Sequence, residues 1–258
     1  MRKRDIMASV DLNCDLGESF GNYTIGDDAT IIPLASSCNI ACGMHAGDPL
    51  VMRKTVRLAK EADIAVGAHP GYPDLQGFGR RDMSLSPDEA YAFVLYQLGA
   101  LQGFCQAEEV SLHHVKPHGQ LYNRCAVDYE LARSVAQAVK DFDDRLILVG
   151  LANGELIRAG NDVGLKTAQE FFADRNYTDN GLLQPRNQPD ALIHDENVAI
   201  DRIKQAVEQG TVTTISGKTI AIVADTICVH GDSTQALLFV KRIRDELAHA
   251  GIKVAPVA

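Results

Sequence analysis

Short apolar runs recur along the chain, and each ends in a cluster of small, acidic, basic or histidine residues. Ile64-Ala65-Val66-Gly67-Ala68 and Leu146-Ile147-Leu148-Val149-Gly150 are apolar throughout, as strands of a parallel sheet covered on both faces must be. Further strands are predicted over 8–12, 36–42, 111–117 and 165–172, and a seventh over 220–223, extendable through 227–229. Helical patterns alternate with them. A short one over 27–35 is interrupted by Pro33. Asp48-Pro49 supplies an N-cap and first-turn proline for a helix to about residue 62. Ser86-Pro87-Asp88-Glu89 is a capping box that opens a long helix to about residue 107. Other helices are predicted over 119–125, 128–141, 154–160, 195–209 and 233–250, with Gly251 closing the last.

Two long loops, 69–85 and 173–190, break this rhythm. Such loops are uncommon in compact domains unless they bind something. No linker, repeat or low-complexity stretch separates the seven strand-and-helix units. One closed, seven-stranded parallel β/α barrel over 1–258 is the economical α/β arrangement, with 1–7 as an N-terminal extension and an open doubly wound sheet as the alternative. The chain's 258 residues suit a barrel, for which about 250 is typical.

Composition narrows the function. A formal charge of −9 argues against nucleic acid as a partner, which calls for a basic surface. No apolar run reaches the length of a membrane span, and the basic start lacks the apolar segment of a signal peptide. The six cysteines, Cys14, Cys38, Cys42, Cys105, Cys125 and Cys228, are scattered and read as reduced, buried thiols in a cytoplasmic chain. Cys38, Cys42 and His45 have no second Cys/His pair at ligand spacing, so no structural zinc is predicted there.

Ligands of parallel β/α folds sit at the carboxyl ends of the strands, so the candidate chemistry is read from those ends. Asp11, Asn13 and Asp15 alternate and share one face of a strand. Two carboxylates on one face suit metal binding or general-base work, against the duller role of capping a turn. His45, His69, His118 and His230 each follow a different strand and would converge on one mouth, where neutral imidazoles bind metal or carry protons. His113, His114, His194 and His249 lack that setting and read as structural or exposed. Lys116 and Arg175 are cations at strand ends. Arg175 can grip a carboxylate or phosphate, or else pair internally with Asp174 or Glu170. Gly77-Phe78-Gly79-Arg80-Arg81 reads as a lid, a subunit contact or a solvated loop. Ser216-Gly217-Lys218-Thr219 is no phosphate loop, because Val212 stands where the upstream glycine belongs and the segment precedes a strand. No dinucleotide-binding fingerprint follows the first strand.

The strings VDLNCDLGESFG, NIACGMHAGDP, VGAHPGYPDLQGFGRRDM, VKPHGQLYN, EFFADRNY with GLLQPR, and ICVHGD resemble the LamB/YcsF family in six ordered motifs from about residue 9 to 250. Gln120 stands where many relatives carry alanine. The resemblance implies a seven-stranded β/α barrel of the glycoside hydrolase/deacetylase type. It also implies ATP-dependent hydrolytic opening of 5-oxoproline to L-glutamate, with two partner subunits (B and C). Related barrels bind metal through an Asp and a His-x3-His pair. No metal is carried over from them, and Asp11, Asp15, His45 and His69 remain the candidate ligands.

A five-membered lactam is a stabilised amide, and consumption of ATP suggests phosphorylation of its oxygen before water attacks the ring carbon. Without a phosphate loop in this chain, the nucleotide chemistry is expected to rely at least partly on the partners. Asp11, Asp15, His45 or His69 would be the base for water. His118, or His230 oriented by Asp232, would protonate the leaving nitrogen. Lys116 and Arg175, with Asn13, Glu170 and Asp174 beside them, would hold substrate carboxylate or phosphate charge. The rival readings are a metal-dependent amidohydrolase or deacetylase acting alone, and a non-catalytic subunit that captures a small acid. A homo-oligomer stays open.

Overall fold

The computed structural model describes residues 9–185, 188–229 and 234–258. Seven parallel strands close on themselves: β1 (Ser9–Leu16), β2 (Ser37–Ala41), β3 (Ala65–His69), β4 (Leu112–Val115), β5 (Ile147–Leu151), β6 (Lys166–Phe172) and β9 (Thr226–Val229). Each pairs with the next in this order. β9 then returns to β1, with Asp11 opposite Thr226 and Cys14 opposite Val229. All residues of β2, β5 and β9 are buried, which is why these strands are apolar or carry polar groups that face only the barrel interior.

The outer layer is helical: α1 (Asp28–Ile31) with a 3-10 turn at Ile32–Leu34, α2 (Pro49–Glu61), α3 (Pro87–Ala107), α4 (Gly119–Cys125), α5 (Tyr129–Phe142), α6 (Glu155–Asp162), α7 (Glu196–Gln209) and α8 (Thr234–His249). Asp48 caps α2 by accepting from the amides of Leu50 and Val51, both at 2.9 Å. The Ser86–Glu89 box opens α3 as expected, with the Ser86 amide donating to Glu89 Oε2 at 2.8 Å. α5 turns Leu131, Ala132, Val135, Ala136 and Val139 inward, at the helical spacing that makes one apolar stripe.

One predicted strand is corrected. Residues 219–221 do not join the barrel. β8 (Thr219–Ala221) pairs antiparallel with β7 (Thr211–Thr213) in an outlying hairpin, and the seventh barrel strand is Thr226–Val229. Within the apolar run 220–223, only Ile222 is buried, and Val223 is 45% exposed. A strand wedged between β6 and β1 must be covered on both faces, and only 226–229 satisfies that. The Ser216-Gly217 pair forms the hairpin's turn, with the Gly217 amide donating to the Thr214 carbonyl, so no anion site is built there.

The amino end of the barrel is covered. β10 (Lys253–Val254) pairs with Ser9 and Val10, and Val257 packs against Ile147, Val149 and Ala168. The carboxyl end carries the loops, including the two long ones.

Candidate active site

β1 turns Asp11, Asn13 and Asp15 into the barrel, as their alternation requires. A rise of about 3.3 Å per residue sets Asp11 about 13 Å below Asp15, so the two carboxylates occupy different layers. Asp11 lies toward the covered end. It accepts from Ser36 Oγ (2.6 Å), Ser37 Oγ (2.8 Å) and Thr226 Oγ1 (2.6 Å). Burial pushes its pKa up, against those hydroxyl donors. The expectation that Asp11 is a mouth base or metal ligand is therefore corrected: a shared face does not mean a shared depth, and Asp11 ties β1 to β2 and β9.

Asn13 is also corrected. Its amide makes four internal hydrogen bonds, donating to Glu170 Oε1 and Thr226 Oγ1 and accepting from Asn39 Nδ2 and Lys116 Nζ. No bonding capacity is left for a substrate. Glu170 is fully buried and serves Lys116 from behind, with its Oε1 2.7 Å from the ammonium.

Lys116, directly after β4, is the hub. Its Nζ lies 3.0 Å from both Asp15 Oδ1 and Asn13 Oδ1 and 3.4 Å from Cys228 Sγ. Burial opposes its charge, yet Asp15 and Glu170 hold its pKa well above the ordinary lysine value. Burial would likewise raise the Asp15 carboxyl, but His69 and Lys116 hold it well below the usual carboxylate range. Asp15 is thus ionised at neutral pH, and its side chain keeps 19% exposure.

Three of the four predicted histidines meet. His45 stacks on His118 with centroids 3.7 Å apart and planes 4° from parallel, and His69 stands edge-on to both. His69 Nδ1 donates to the Lys116 carbonyl at 2.7 Å, which turns Nε2 toward Asp15 Oδ2 at 3.2 Å and His118 Nδ1 at 3.0 Å. His118 Nε2 donates to the Phe78 carbonyl at 2.8 Å. Burial lowers the pKa of His45 and His118 well below the ordinary histidine value, and a neighbouring imidazole lowers each further. Glu18, just past β1, brings Oε1 to 3.5 Å from His45 Nε2 and 3.6 Å from His118 Nδ1. One nitrogen or oxygen from each of Glu18, His45, His69 and His118 falls within 4.8 Å of the others.

The first long loop forms the cover over these rings. Phe78 adopts φ +56°, rare for a side chain of its size, and this aims its carbonyl at His118. Gly79, at φ +63°, leaves no room for a side chain: a Cβ there would stand 2.8 Å from both His45 Cβ and His118 Cδ2. The Arg80 guanidinium lies over the Phe78 ring at 5.0 Å.

A cleft of about 670 Å³ opens above Lys116, lined by Asp15, His69, Arg80, His118 and Arg175 among others. Arg175 is 6% exposed and donates to the Gln184 carbonyl, so the second long loop is tied to the cleft wall. Asp174 is not part of that wall. His230 and Asp232 lie outside the described residues.

Sequence reasoning does not assign Glu18, Asn39 or Phe78 to the site. Asn39 donates to Asn13 Oδ1 and Asp15 Oδ1 and accepts from His114 Nε2. Its amide in the middle of a fully buried strand was the available signal. Glu18 lies just past β1 within the string VDLNCDLGESFG, which carries the resemblance but does not assign it a role, and Phe78 contributes through its backbone, which no residue type reveals. All six cysteines are buried thiols. Among the described residues, no helix is long and apolar enough to cross a membrane.

The model of the LamB/YcsF family matches residues 10–258. A protein of Bacillus subtilis (strain 168), named as the A-type subunit of 5-oxoprolinase, is 54% identical over 252 residues, covering 98% of each chain. A Staphylococcus aureus (strain Newman) protein of the same name is 55% identical over 245 residues, covering 95% of this chain and 98% of the relative. The crystal structure of a lactam utilization protein from Thermus thermophilus superposes with a TM-score of 0.90 at 46% identity, covering 96% of this chain and 99% of that one.

Proposed function

The chain belongs to the LamB/YcsF family, and on that premise we propose that it carries the hydrolytic, ATP-dependent opening of 5-oxoproline to L-glutamate within a complex with two further subunits. The names of its relatives support the substrate and the subunit role. The observation that carries the reading is the Asp15–Lys116 pair at 3.0 Å, set at the foot of a cleft that also presents Arg80 and Arg175. An ionised carboxylate, a fixed ammonium and two guanidinium groups suit an anionic substrate that water must attack.

Phosphoryl transfer from ATP to the lactam oxygen releases ADP and makes the ring carbon electrophilic. A first water adds to that carbon, Asp15 takes one of its protons and passes it to the ring nitrogen as the C–N bond breaks, and the remaining hydroxyl proton goes to the freed amine as that oxygen becomes the carbonyl. This leaves an acyl phosphate, which a second water converts to glutamate and phosphate. Lys116 stabilises negative charge at the reacting oxygen, and the guanidinium groups hold the carboxylate and the phosphoryl group. Lys116 and Asn39 orient Asp15 by donating to its Oδ1. ATP is a co-substrate whose binding falls at least partly to the partners.

The test is glutamate formation from 5-oxoproline and ATP by the partner subunits, with and without this chain. Turnover that appears only on addition of the chain, and is lost in Asp15→Asn, supports the reading. Full turnover by the partners alone overturns it in favour of a capture role, and turnover by this chain without ATP overturns it in favour of a hydrolase acting alone.

A further inference from the structure

The hydrolytic role proposed for Asp15 and Lys116 leaves the histidine cluster unexplained. A backbone carbonyl only accepts, so His69 must carry its proton on Nδ1, 2.7 Å from the Lys116 oxygen, and His118 on Nε2, 2.8 Å from the Phe78 oxygen. The opposite nitrogens, His69 Nε2 and His118 Nδ1, then face each other at 3.0 Å. His45 is fully buried between the loop cover and the His118 ring, and neither of its nitrogens has a hydrogen-bond partner. A single proton shared between His69 and His118 would satisfy those two alone. It would leave buried His45 with no hydrogen bond at either nitrogen and only the 3.5 Å approach of Glu18 at Nε2, which proteins rarely tolerate.

We propose that a divalent first-row transition-metal ion of the zinc type is held by His45 Nε2, His69 Nε2, His118 Nδ1 and a carboxylate oxygen of Glu18. Three imidazoles and one carboxylate match that class of ion, whereas magnesium and calcium require an oxygen shell. Zinc binds nitrogen at about 2.0–2.1 Å, which places tetrahedral ligands about 3.3 Å apart. The four donor atoms already lie within 4.8 Å of one another, and the closer pairs stand at 3.0, 3.5 and 3.6 Å. Binding requires the His45 and His118 rings, now stacked 3.7 Å apart and 4° from parallel, to tilt so that both lone pairs converge on the ion. Metal-binding imidazoles ordinarily donate their other N–H to a carbonyl or carboxylate, and His69 and His118 do so. The left-handed Phe78 and the side-chain-free Gly79 are thereby explained: one supplies the carbonyl that orients His118, and the other lets the loop close over the rings. This set differs from the ligands expected from sequence, since Asp11 is a layer away and Glu18 and His118 take part.

The site is tested on the full chain, made without a histidine tag, loaded with zinc or cobalt, desalted and assayed by elemental analysis. About one tightly held ion per chain is expected. The cobalt form should show the visible bands of a four-coordinate nitrogen and oxygen site, without a thiolate charge-transfer band. His45→Ala should lose the ion and Glu18→Gln should bind it at least about tenfold more weakly, while His194→Ala, at an exposed position, should retain it. A wild-type chain that holds no stoichiometric metal overturns the inference, as does full retention in both His45→Ala and Glu18→Gln. The wild-type cobalt spectrum decides the matter even if a variant does not fold. Metal content is read without turnover, so an empty chain that supports glutamate formation sinks the metal alone, and a loaded chain that does not sinks the lactam reading alone.

Discussion

Replacing Lys116 with methionine removes the charge that reconciles two carboxylates inside the barrel. The Lys116 side chain is 3% exposed, Glu170 is fully buried, and the ammonium approaches them at 3.0 Å (Asp15) and 2.7 Å (Glu170). Methionine keeps the volume of the stem but leaves Glu170 buried beside an apolar group. Breaking a buried pair from one side costs about 3–5 kcal/mol, and urea denaturation at pH 7 should show a loss of that size. The pH dependence has a definite sign. The folded pKa of Asp15 lies well below its unfolded value of 3.8, so its contribution is complete above that value and is lost as pH falls through the folded pKa. Lys116 is raised above 10.5, so its contribution is complete below that value and is lost only as pH rises through the folded pKa. The gap between wild type and variant should therefore be full through neutral pH and narrow at the acid and alkaline ends. Adding Glu170→Gln to Lys116→Met removes the stranded charge, and the double variant should recover at least about 1 kcal/mol relative to the sum of the single losses. A loss under about 1 kcal/mol at pH 7 in a folded Lys116→Met protein is what a solvated surface pair gives, and would refute the buried hub.

Asp15→Asn should reduce glutamate formation in the assembled complex by about 10²–10⁴-fold while the protein remains folded by circular dichroism. Asp11→Asn should behave oppositely: its three hydroxyl partners lose a shared acceptor at a cost of about 1–3 kcal/mol in denaturant, with kcat/KM preserved in the surviving folded fraction. Gly79→Ala should destabilise the chain by about 1–2 kcal/mol from left-handed strain alone and also disturb His45 and His118, visible as shifted imidazole NMR resonances.

Much of this molecule is legible in its residues because the signals are local. The Ser86–Glu89 box, the Asp48 cap and the apolar strands 65–69 and 147–151 depend on neighbours in sequence, and all lie within a few residues of where the pattern puts them. The convergence of His45, His69 and His118 is also legible, since residues that follow successive parallel strands must emerge at the same end of a barrel. The apolar run 220–223 misled because hydrophobicity alone does not say whether one face or two will be covered.

The chain's own pattern was enough to determine a closed β/α barrel, its helices and caps, and the end at which Lys116, His69 and His118 would gather. Tertiary structure alone decided depth and partnership. A period of two assigns Asp11, Asn13 and Asp15 to one face but says nothing of their level in the barrel, which is set by register with Thr226 and Ser37 across strand pairs far apart in sequence. It also decided that Gly67 must lack a side chain, because the His114 ring from the neighbouring strand fills that space, 2.2 Å from where a Cβ would sit. Contacts of this kind depend on three-dimensional closure, and no local pattern carries them.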